Sequence, residues 1–465
     1  MLFTSLDFIL LLIITLVIYY LPVFKRFQRE ILILSSLMFY AYNEPKLLLL
    51  LIFSVFINVY VTFKIVNGNL KFDKQFAILG VTVNLLLLIF FKYSGLISTT
   101  FFTSESSIGI FLLSIPLPIG ISFFTFQGIS LVVDVYKNKS DTRRMFNTSF
   151  INLLKDIFFF KSFFPQLISG PIVKAYDFLP QIKTKKIEEI DWELIFKNLI
   201  YGYFLKMVVA DNIKDYTFWI QEPFFQNLST TSLIVIMFGY SCQIFADFAG
   251  YSLIAIAIAK LFGYNFPKNF NYPYISSSFK SFWKRWHISL SSFLMEYLYI
   301  PLGGNQKGRV RMFFNLFIVM LLGGLWHGAS WSFAIWGICH GVFLIVEKIL
   351  NFNFKDNLIL RIISTLIVFI LVTFSWLFFK LPEFSQVLDY IYFIFENTSF
   401  STDKMLVLSI ILYSSPVLFI HLYYLFTNSN NLKILNKYNY VFYALALVLI
   451  ILNSGNSESF IYFQF

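Results

Sequence analysis

Residues 8–21 read FILLLIITLVIYYL, a run that holds no charged side chain. Residues 441–452 read VFYALALVLIIL and show the same all-round apolar character. A lipid-facing β-barrel would instead alternate polar and apolar residues along short strands. Helices satisfy their backbone hydrogen bonds internally, so runs that are apolar on every face predict helices embedded in a membrane. The predicted fold class is therefore all-α.

The composition of the whole chain supports the same conclusion. Hydrophobic residues make up 58% of the 465 residues, against about 45–50% in soluble domains. Apolar stretches long enough to act as membrane spans or re-entrant segments recur throughout, at residues 6–23, 31–42, 47–66, 76–98, 108–133, 148–165, 194–210, 231–263, 312–350, 358–380, 405–427 and 438–453. The stretches 231–263 and 312–350 are long enough to be split pairs. We therefore predict a polytopic transmembrane helical bundle of about 11–14 spans, including re-entrant segments.

The stretches are not separated by an internal repeat or by a low-complexity linker. The longest polar connection, residues 174–192, is too short to form a separate domain. We therefore expect a single integral-membrane domain over residues 1–465.

Basic residues predict the orientation of the first span. Lys25, Arg26 and Arg29 follow it directly, and the positive-inside rule places such a loop in the cytoplasm and the N-terminus outside. No basic segment precedes the span and no small-residue cleavage site follows it, so we interpret it as a retained span rather than a signal peptide. The many Phe, Ile, Leu, Lys and Asn residues resemble the codon bias of an AT-rich bacterial genome. We expect a multi-pass protein of a bacterial inner (cytoplasmic) membrane.

Charge and cysteine content exclude two classes of function. The formal net charge of +11 is explained by basic loops at an anionic membrane leaflet. A nucleic-acid partner would require a solvated basic domain, and the sequence contains none. The two cysteines, Cys242 and Cys339, both lie in apolar sequence. A disulfide framework and a cysteine-based zinc site are therefore excluded, and no metal is predicted.

Two segments depart from ordinary membrane spans. Residues 163–172 place Pro165, Gly170 and Pro171 in apolar surroundings, which predicts a re-entrant turn or a helix break. Residues 268–307 mix aromatic, basic and polar side chains too densely for a lipid-facing helix. This second segment is expected at the membrane interface or along a cavity.

His327 is the first candidate for chemistry, because histidine is scarce in this chain and titrates near neutral pH. It lies in GGLWHG, residues 323–328, where small neighbours permit close approach of a helix or a substrate. An ionisable group in an apolar segment is costly and indicates function. A neutral histidine that donates one hydrogen bond in a helix bundle fits the same pattern.

His287 is the second candidate. Lys280, Lys284 and His287 have i, i+4, i+7 spacing, which predicts one cationic helix face. With Arg285 and Trp283 beside them, these residues could bind a phosphate or carboxylate of a donor. An amphipathic interfacial helix anchored by its tryptophans is the alternative.

The remaining two histidines are weaker candidates. His340 lies thirteen residues after His327, so on one continuous helix it would point about 220° away and would not share the His327 site. His421 stands alone between apolar neighbours and is expected in the core or at an interface.

Asp247 is a carboxylate within an apolar stretch, with Gln243 and Tyr251 four residues away on either side. These two side chains could supply the hydrogen bonds that a buried carboxylate needs. Asp247 is a candidate for donor binding or for a structural network that orients a catalytic histidine. The Gly-rich basic loop at residues 301–309 could meet phosphates, although Gly-rich loops are weak signals and the sequence favours an ordinary cytoplasmic turn.

Several motifs in this order resemble the membrane-bound O-acyltransferase family, and within it the alginate and peptidoglycan O-acetyltransferase branch. The resemblance covers about residues 110–350, which we predict as the catalytic core. The matching residues are 118–127 (PIGISFFTFQ), 134–136 (DVY), 164–167 (FPQL), 169–172 (SGPI), Lys206, 210–212 (ADN), 282–291 (FWKRWHISLS), 297–304 (YLYIPLGG) and 323–328 (GGLWHG).

The resemblance implies a helical bundle around a tunnel, with His327 at the invariant histidine of the family and His287 at its second, partly polar position. Transfer of an acetyl group to an alcohol requires removal of a hydroxyl proton, which a neutral imidazole can accept near pH 7. His327 is the first candidate for this step. One departure is Leu253, at a position where the family commonly has an acidic or amide residue, so that Asp247 is the remaining nearby carboxylate.

The resemblance also implies the substrates and partners. The expected donor is cytoplasmic acetyl-CoA, and a periplasmic partner of the SGNH-hydrolase type would complete transfer onto a cell-envelope polysaccharide, peptidoglycan or an alginate-like exopolysaccharide. No Gly-x-Ser-x-Gly nucleophile elbow is present. This absence favours direct transfer or a handover to the partner over a serine acyl-enzyme.

Two alternative functions remain from the sequence. A D-alanyl transfer protein of teichoic-acid modification is the nearest one inside the family, although the alginate-type motifs argue against it. A transporter of glycans or lipid-linked sugars is the alternative from another class. Such a transporter would be expected to show repeat halves and paired broken helices, which this sequence does not show.

Overall fold

The computed structural model describes residues 1–42, 44–68, 70–103, 105–146, 149–167, 170–351, 357–427 and 439–455. Within these ranges the regular structure is α-helix with short 3₁₀ and π segments, and no strand is present. The prediction of an all-α fold is therefore confirmed.

Seven helical segments among the described residues are long and apolar enough to cross a membrane. They are Pro45–Asn67, Asp73–Lys92, Thr230–Leu261, Gly308–His327, Trp331–Leu350, Leu358–Lys380 and Lys404–Phe426. An eighth candidate is the pair Leu6–Tyr20 and Pro22–Ala41, which bends by 97° between its two helices. The protein is therefore a multi-pass membrane protein.

The chain folds into two compact units, of which the first holds residues 1–198 and 254–267. Its helices are α1 Leu6–Tyr20, α2 Gln28–Ala41, α3 Leu48–Asn67, α4 Asp73–Lys92, α5 Ser94–Phe101, α6 Ser107–Leu113, α7 Ile121–Tyr136, α8 Thr142–Met145, α9 Phe150–Ser162, α10 Phe164–Leu167 and α11 Ala175–Phe178. Helix α12, Trp192–Tyr203, begins in this unit and ends in the next.

The second unit holds residues 199–253 and 268–465. Its described helices are α13 Asp211–Thr217, α14 Thr230–Leu261 up to Leu253, α15 Phe279–Trp283, α16 Ile288–Leu294, α17 Gly308–His327, α18 Trp331–Leu350, α19 Leu358–Ser375, α20 Leu377–Lys380, α21 Phe384–Glu396, α22 Lys404–Thr427 and α23 Asn439–Leu452. Two π-helical segments, Phe204–Ala210 and Met295–Tyr299, interrupt its α-helices. The single domain over residues 1–465 and its core over residues 110–350 stay predictions.

Helix α4 shows how the long helices suit a lipid environment. Gly80, Asn84 and Leu88 are buried against the protein on one side, whereas Ile78 and Leu86 on the other side are 55% and 57% exposed. Large exposed apolar side chains on a helix of spanning length are stable when lipid, not water, surrounds them. The exposed face of α4 is therefore a lipid-facing surface.

The two long apolar stretches behave differently. Residues 312–350 form the split pair α17 and α18, with the break at residues 328–330. Residues 231–263 do not split, because Thr230–Leu261 is one helix of 32 residues. The length of an apolar stretch therefore predicted where helices occur, but it did not predict which stretch is interrupted.

The proline-containing segment 163–172 is irregular, as predicted. Helix α9 ends at Ser162, the four-residue α10 follows, and residues 170–174 are non-helical. Ile168 and Ser169 lie outside the described residues. The flanking residues 163–167 and 170–174 are buried in protein, which is where irregular backbone is tolerated in a membrane protein.

The loop at residues 301–309 is a turn stabilised by a side chain of α17. Gly303, Gly304 and Gly308 adopt positive φ angles, at 106°, 51° and 82°, where glycine has no Cβ penalty. Asn315 Nδ2 donates a hydrogen bond to the Gly304 carbonyl at 3.0 Å. These contacts support the interpretation of the loop as a structural turn.

Helices α17 and α18 pack closely through glycines. A Cβ at Gly324 would lie 2.3 Å from the Phe333 carbonyl oxygen, and one at Gly337 would lie 2.4 Å from the Met320 carbonyl oxygen. Real side-chain carbons do not approach backbone oxygens this closely, so both positions need glycine. The sequence predicted this close approach from the small residues around His327.

We expect Gly324→Ala to lower the free energy of unfolding by about 1–3 kcal/mol, because the backbones of α17 and α18 must separate. Gly323→Ala is the matched control. Its Cβ would meet only a flexible Leu294 methyl group at 3.2 Å, and alanine favours helix over glycine. Denaturant titration of the protein in mixed micelles measures both variants, and equal stability of the two would contradict the packing argument.

Candidate functional site

His327 is the last residue of α17, directly before the break at residues 328–330. It is 2% exposed. Its ring centroid lies 5.2 Å from the Trp326 and Trp336 centroids and 5.3 Å from the Phe379 centroid. The surrounding aromatic rings exclude water from this imidazole, which strengthens electrostatic interactions at its nitrogen atoms.

His287 precedes α16 and is fully buried. Its Nδ1 lies 3.0 Å from Asn269 Oδ1, and its ring meets the edge of Phe248 at a centroid distance of 4.6 Å. The Nε2 atom is buried and forms no hydrogen bond with any of the described residues. One nitrogen of this ring is therefore fixed by the protein, while the other is available for chemistry.

The two candidate imidazoles lie together in the second unit. Their ring centroids are 6.0 Å apart with an interplanar angle of 50°, and Trp326 lies within 5.9 Å of both ring centroids. The sequence separates them by forty residues, yet the fold places them side by side. Two imidazoles at this distance can act on one small reacting group between or beside them.

The argument from sequence spacing considered His327 and His340 on one continuous helix. In the structure, His340 does not lie on the helix of His327. It belongs to α18, beyond the break, and its Nε2 lies 3.0 Å from Ser375 Oγ. Both histidines contact the ring of Trp336, at centroid distances of 5.2 Å for His327 and 4.6 Å for His340. Trp336 therefore packs against both histidines, although they belong to different helices.

His421 is a core residue, as predicted. It is 3% exposed on α22, and its Nδ1 lies 2.7 Å from the carbonyl oxygen of Val417 in its own helix. Phe245 and Tyr274 pack against the ring. These contacts give His421 a structural role.

The prediction of one cationic helix face is wrong. Helix α15 ends at Trp283, and His287 has φ +42°, so no helix continues from Lys280 to His287. Lys280 and Lys284 are exposed, whereas His287 is fully buried. The two lysines therefore lie at the surface, and the imidazole points into the protein.

The other two residues of this group have protein partners. Arg285 donates from Nη1 to the Asn271 carbonyl at 2.9 Å. Trp283 packs edge-on against His340, with centroids 5.2 Å apart. Arg285 therefore supports the loop before His287, and Trp283 packs against His340 and Trp336.

Asp247 belongs to a buried ion-pair triad. Lys206 Nζ lies 2.8 Å from Asp247 Oδ1 and 2.6 Å from Asp211 Oδ1, and the three side chains are at most 5% exposed. Lys206 comes from the π-helical segment, a kind of irregularity that is frequent at functional sites. Gln243, one of the predicted partners of Asp247, accepts a hydrogen bond from Thr217 at 2.5 Å.

A comparison with known families decides the identity of the chain. Residues 8–382 match the family model described as MBOAT, membrane-bound O-acyltransferase family. The chain belongs to this family. The resemblance carried by the motifs around His287 and His327 is thereby confirmed.

Curated relatives agree with this assignment. A peptidoglycan O-acetyltransferase of Helicobacter pylori is 37% identical over 78% of this chain and 72% of its own length. A probable alginate O-acetylase of Pseudomonas aeruginosa is 36% identical over 78% of this chain and 70% of its own length. A teichoic acid D-alanyltransferase of Bacillus subtilis is more distant, at 28% identity over 57% of this chain and 68% of its own length.

Sequence reasoning missed two features of the candidate site. Asn269, which contacts the His287 ring, was included only in the irregular segment 268–307. The pairing of Lys206 with Asp247 was also missed, although a buried lysine and a buried carboxylate in apolar sequence each need a partner. Searching the apolar spans for charges of opposite sign would have suggested this pair.

Proposed function

We propose that this membrane-bound O-acyltransferase transfers acetyl groups for O-acetylation of a cell-envelope polysaccharide, peptidoglycan or an alginate-like exopolysaccharide. The observation that carries the proposal is the pair of buried imidazoles, His287 and His327, 6.0 Å apart. The relatives named as O-acetyltransferase and O-acetylase support the acetyl group as the group that is transferred. Acetyl-CoA is the proposed donor.

The reaction requires one proton transfer and stabilisation of one developing charge. The acceptor hydroxyl oxygen bonds to the acetyl carbon, the carbon–sulfur bond of the thioester breaks, and the hydroxyl proton ends on the sulfur. One imidazole nitrogen can accept this proton and pass it on. An N–H of the second imidazole can donate to the acetyl carbonyl oxygen, on which negative charge develops.

The predicted donor-binding residues fall into two groups. Lys280 and Lys284 are exposed cations near the His287 loop, which suits contact with the phosphates of acetyl-CoA. Trp283, Arg285 and Asp247 have protein partners, which supports roles in shaping the site. Donor binding by each of the five stays a prediction.

The proposed topology follows from the basic loops. Arg29 pairs with Asp156 at 2.5 Å and with Glu30 at 3.2 Å, whereas Lys25 and Arg26 are exposed. We place this loop in the cytoplasm, the N-terminus outside, and the protein in the inner membrane of a bacterium. A periplasmic partner of the SGNH-hydrolase type would then receive the acetyl group, and the tunnel implied by the family resemblance would be its path.

The proposal is tested by analysis of the envelope glycan in a bacterium that lacks its own copy of this gene. Expression of the protein should restore acetate that mild base releases from the purified glycan. Release of D-alanine without acetate would favour the teichoic-acid alternative. Restored glycan export without any ester would favour the transporter alternative.

The proposed topology predicts one-sided use of the donor. In proteoliposomes of defined orientation, labelled acetyl-CoA should donate its acetyl group only from the face that carries Lys25 and Arg26. A protease site inserted in that loop reports the orientation. Equal transfer with the donor on either face would contradict the topology without affecting the assignment of the two histidines.

A further inference from the structure

Asn269 holds the ring of His287 and the chain that follows it. Its Oδ1 lies 3.0 Å from His287 Nδ1, 2.8 Å from Ser289 Oγ and 3.3 Å from the Ser289 backbone nitrogen. Its Nδ2 donates to Ser252 Oγ at 3.1 Å. Asn269 is 1% exposed, so these contacts are made away from bulk solvent.

The backbone around His287 is fixed by the same segment. Ile288 donates its backbone N–H to the Asn269 carbonyl at 2.9 Å, and Asn271 donates its backbone N–H to the Arg285 carbonyl at 2.9 Å. His287 lies between these bonds at φ +42°, a left-handed conformation that is uncommon outside glycine. Such strain persists where the surrounding structure holds it, and it is frequent at functional sites.

The hydrogen bonds determine the orientation of the Asn269 amide. The Ser289 backbone nitrogen can only donate, so the Asn269 atom that it meets is the carbonyl oxygen and not the amide nitrogen. A carbonyl oxygen can only accept. His287 Nδ1, which meets the same oxygen, therefore carries a hydrogen.

The second nitrogen of His287 then carries a lone pair when the ring is neutral. No carboxylate among the described residues forms an ion pair with His287, and the ring is fully buried. An unpaired buried charge is costly, which favours the neutral ring. Nε2, which makes no hydrogen bond with the described residues, is thus a hydrogen-bond and proton acceptor.

We propose that Asn269 is a positioning residue that holds His287 as the Nδ1–H tautomer, so that Nε2 accepts the proton of the acceptor hydroxyl. This inference rests on the proposed acetyl transfer and assigns its proton acceptor. As the hydroxyl oxygen bonds to the acetyl carbon, its proton moves to Nε2. The carbon–sulfur electron pair leaves with the sulfur, which then takes the proton from Nε2.

The tautomer is measured directly by solid-state NMR of protein labelled with ¹³C,¹⁵N-histidine in lipid bilayers. The chain holds four histidines, and the signal that disappears in His287→Gln belongs to His287. Wild-type protein should show protonated Nδ1 and unprotonated Nε2. Asn269→Asp, whose carboxylate also accepts from Nδ1, should keep this pattern, whereas Asn269→Leu should lose it.

Activity should follow the tautomer. Loss of the correct tautomer is expected to lower kcat for acetyl transfer by about 100- to 10,000-fold in Asn269→Leu with little change in KM for acetyl-CoA. In Asn269→Asp, the decrease in log kcat should be at most half of the decrease in Asn269→Leu. Ser252→Ala removes only the Nδ2 contact, so it should retain the wild-type tautomer.

Three outcomes would overturn the inference. They are an Nε2–H signal for His287 in the wild type, an unchanged tautomer in an inactive Asn269→Leu, and a changed tautomer with wild-type kcat. The NMR result does not depend on activity. A folded wild-type protein with the Nδ1–H signal but no acetyl transfer would therefore overturn the proposed function and leave the tautomer assignment standing.

Discussion

Replacement of His327 by alanine is expected to lower acetylation of the envelope glycan by about 100- to 10,000-fold. A loss of this size follows when a general base is removed, and removal of a hydrogen-bond donor to the developing oxyanion costs about 100- to 1,000-fold. His327 is placed for either task, since its ring lies 6.0 Å from His287 in a water-excluding aromatic environment. The measurement is ester-linked acetate released by mild base from purified glycan.

His327→Gln separates these two tasks. A glutamine amide still offers an N–H donor but is not a useful base. Because we assign the proton acceptor to His287, we expect His327→Gln to retain more activity than His327→Ala. Equal inactivity of the two variants would instead assign the proton transfer to His327.

His421→Gln is the matched control for both variants. His421 is as buried as His327 and lies in the same unit, but its contacts are with Val417 and with core aromatic rings. We expect wild-type acetate levels in this variant. Wild-type levels in His327→Ala as well would rule out a catalytic role for His327.

The helices were predictable because their signal is local. A long run of apolar side chains by itself predicts a helix in the membrane. The apolar stretch 312–350 accordingly contains both α17 and α18. The break at Gly328 was harder to place. A Cβ at this glycine would lie 2.1 Å from the Phe333 ring, so the break depends on a packing contact that periodicity does not report.

The site was predictable only in part. The scarcity of histidine and the family motifs selected His287 and His327, and the structure brings both together. The cationic face failed because helical spacing was extended past Trp283, where α15 ends. The left-handed backbone at His287 is held by hydrogen bonds to Asn269, which lies 18 residues earlier. No local sequence pattern predicts such a contact.

The Lys206 triad gives the largest expected effect on stability. In Lys206→Met the carboxylates of Asp211 and Asp247 lose the buried ammonium that both contact at 2.6–2.8 Å. Removal of one member of a buried ion pair leaves an uncompensated charge and costs about 3–5 kcal/mol. We expect the free energy of unfolding in mixed micelles to fall by about this amount.

Lys155→Met is the matched control for this substitution. Lys155 pairs with Glu30 at 2.8 Å, but the side chains are 39% and 30% exposed, and pairs of this kind contribute about 0–1 kcal/mol. The same change of side chain at the same distance should therefore have a much smaller effect. Equal losses in Lys206→Met and Lys155→Met would show that the triad contributes no more than a surface pair.

A triple variant, Lys206→Met with Asp211→Asn and Asp247→Asn, tests the physical reason. If the loss in Lys206→Met comes from uncompensated carboxylates, neutral amides should restore most of the stability, because no buried charge remains. If the loss comes from the packing of the lysine stem, the triple variant should stay as unstable as the single one. Recovery would also show that the buried charges are not required for folding. Acetyl transfer by the stable triple variant then tests whether the carboxylate of Asp247 is needed for the reaction: wild-type activity would show that it is not, and loss of activity would support a role.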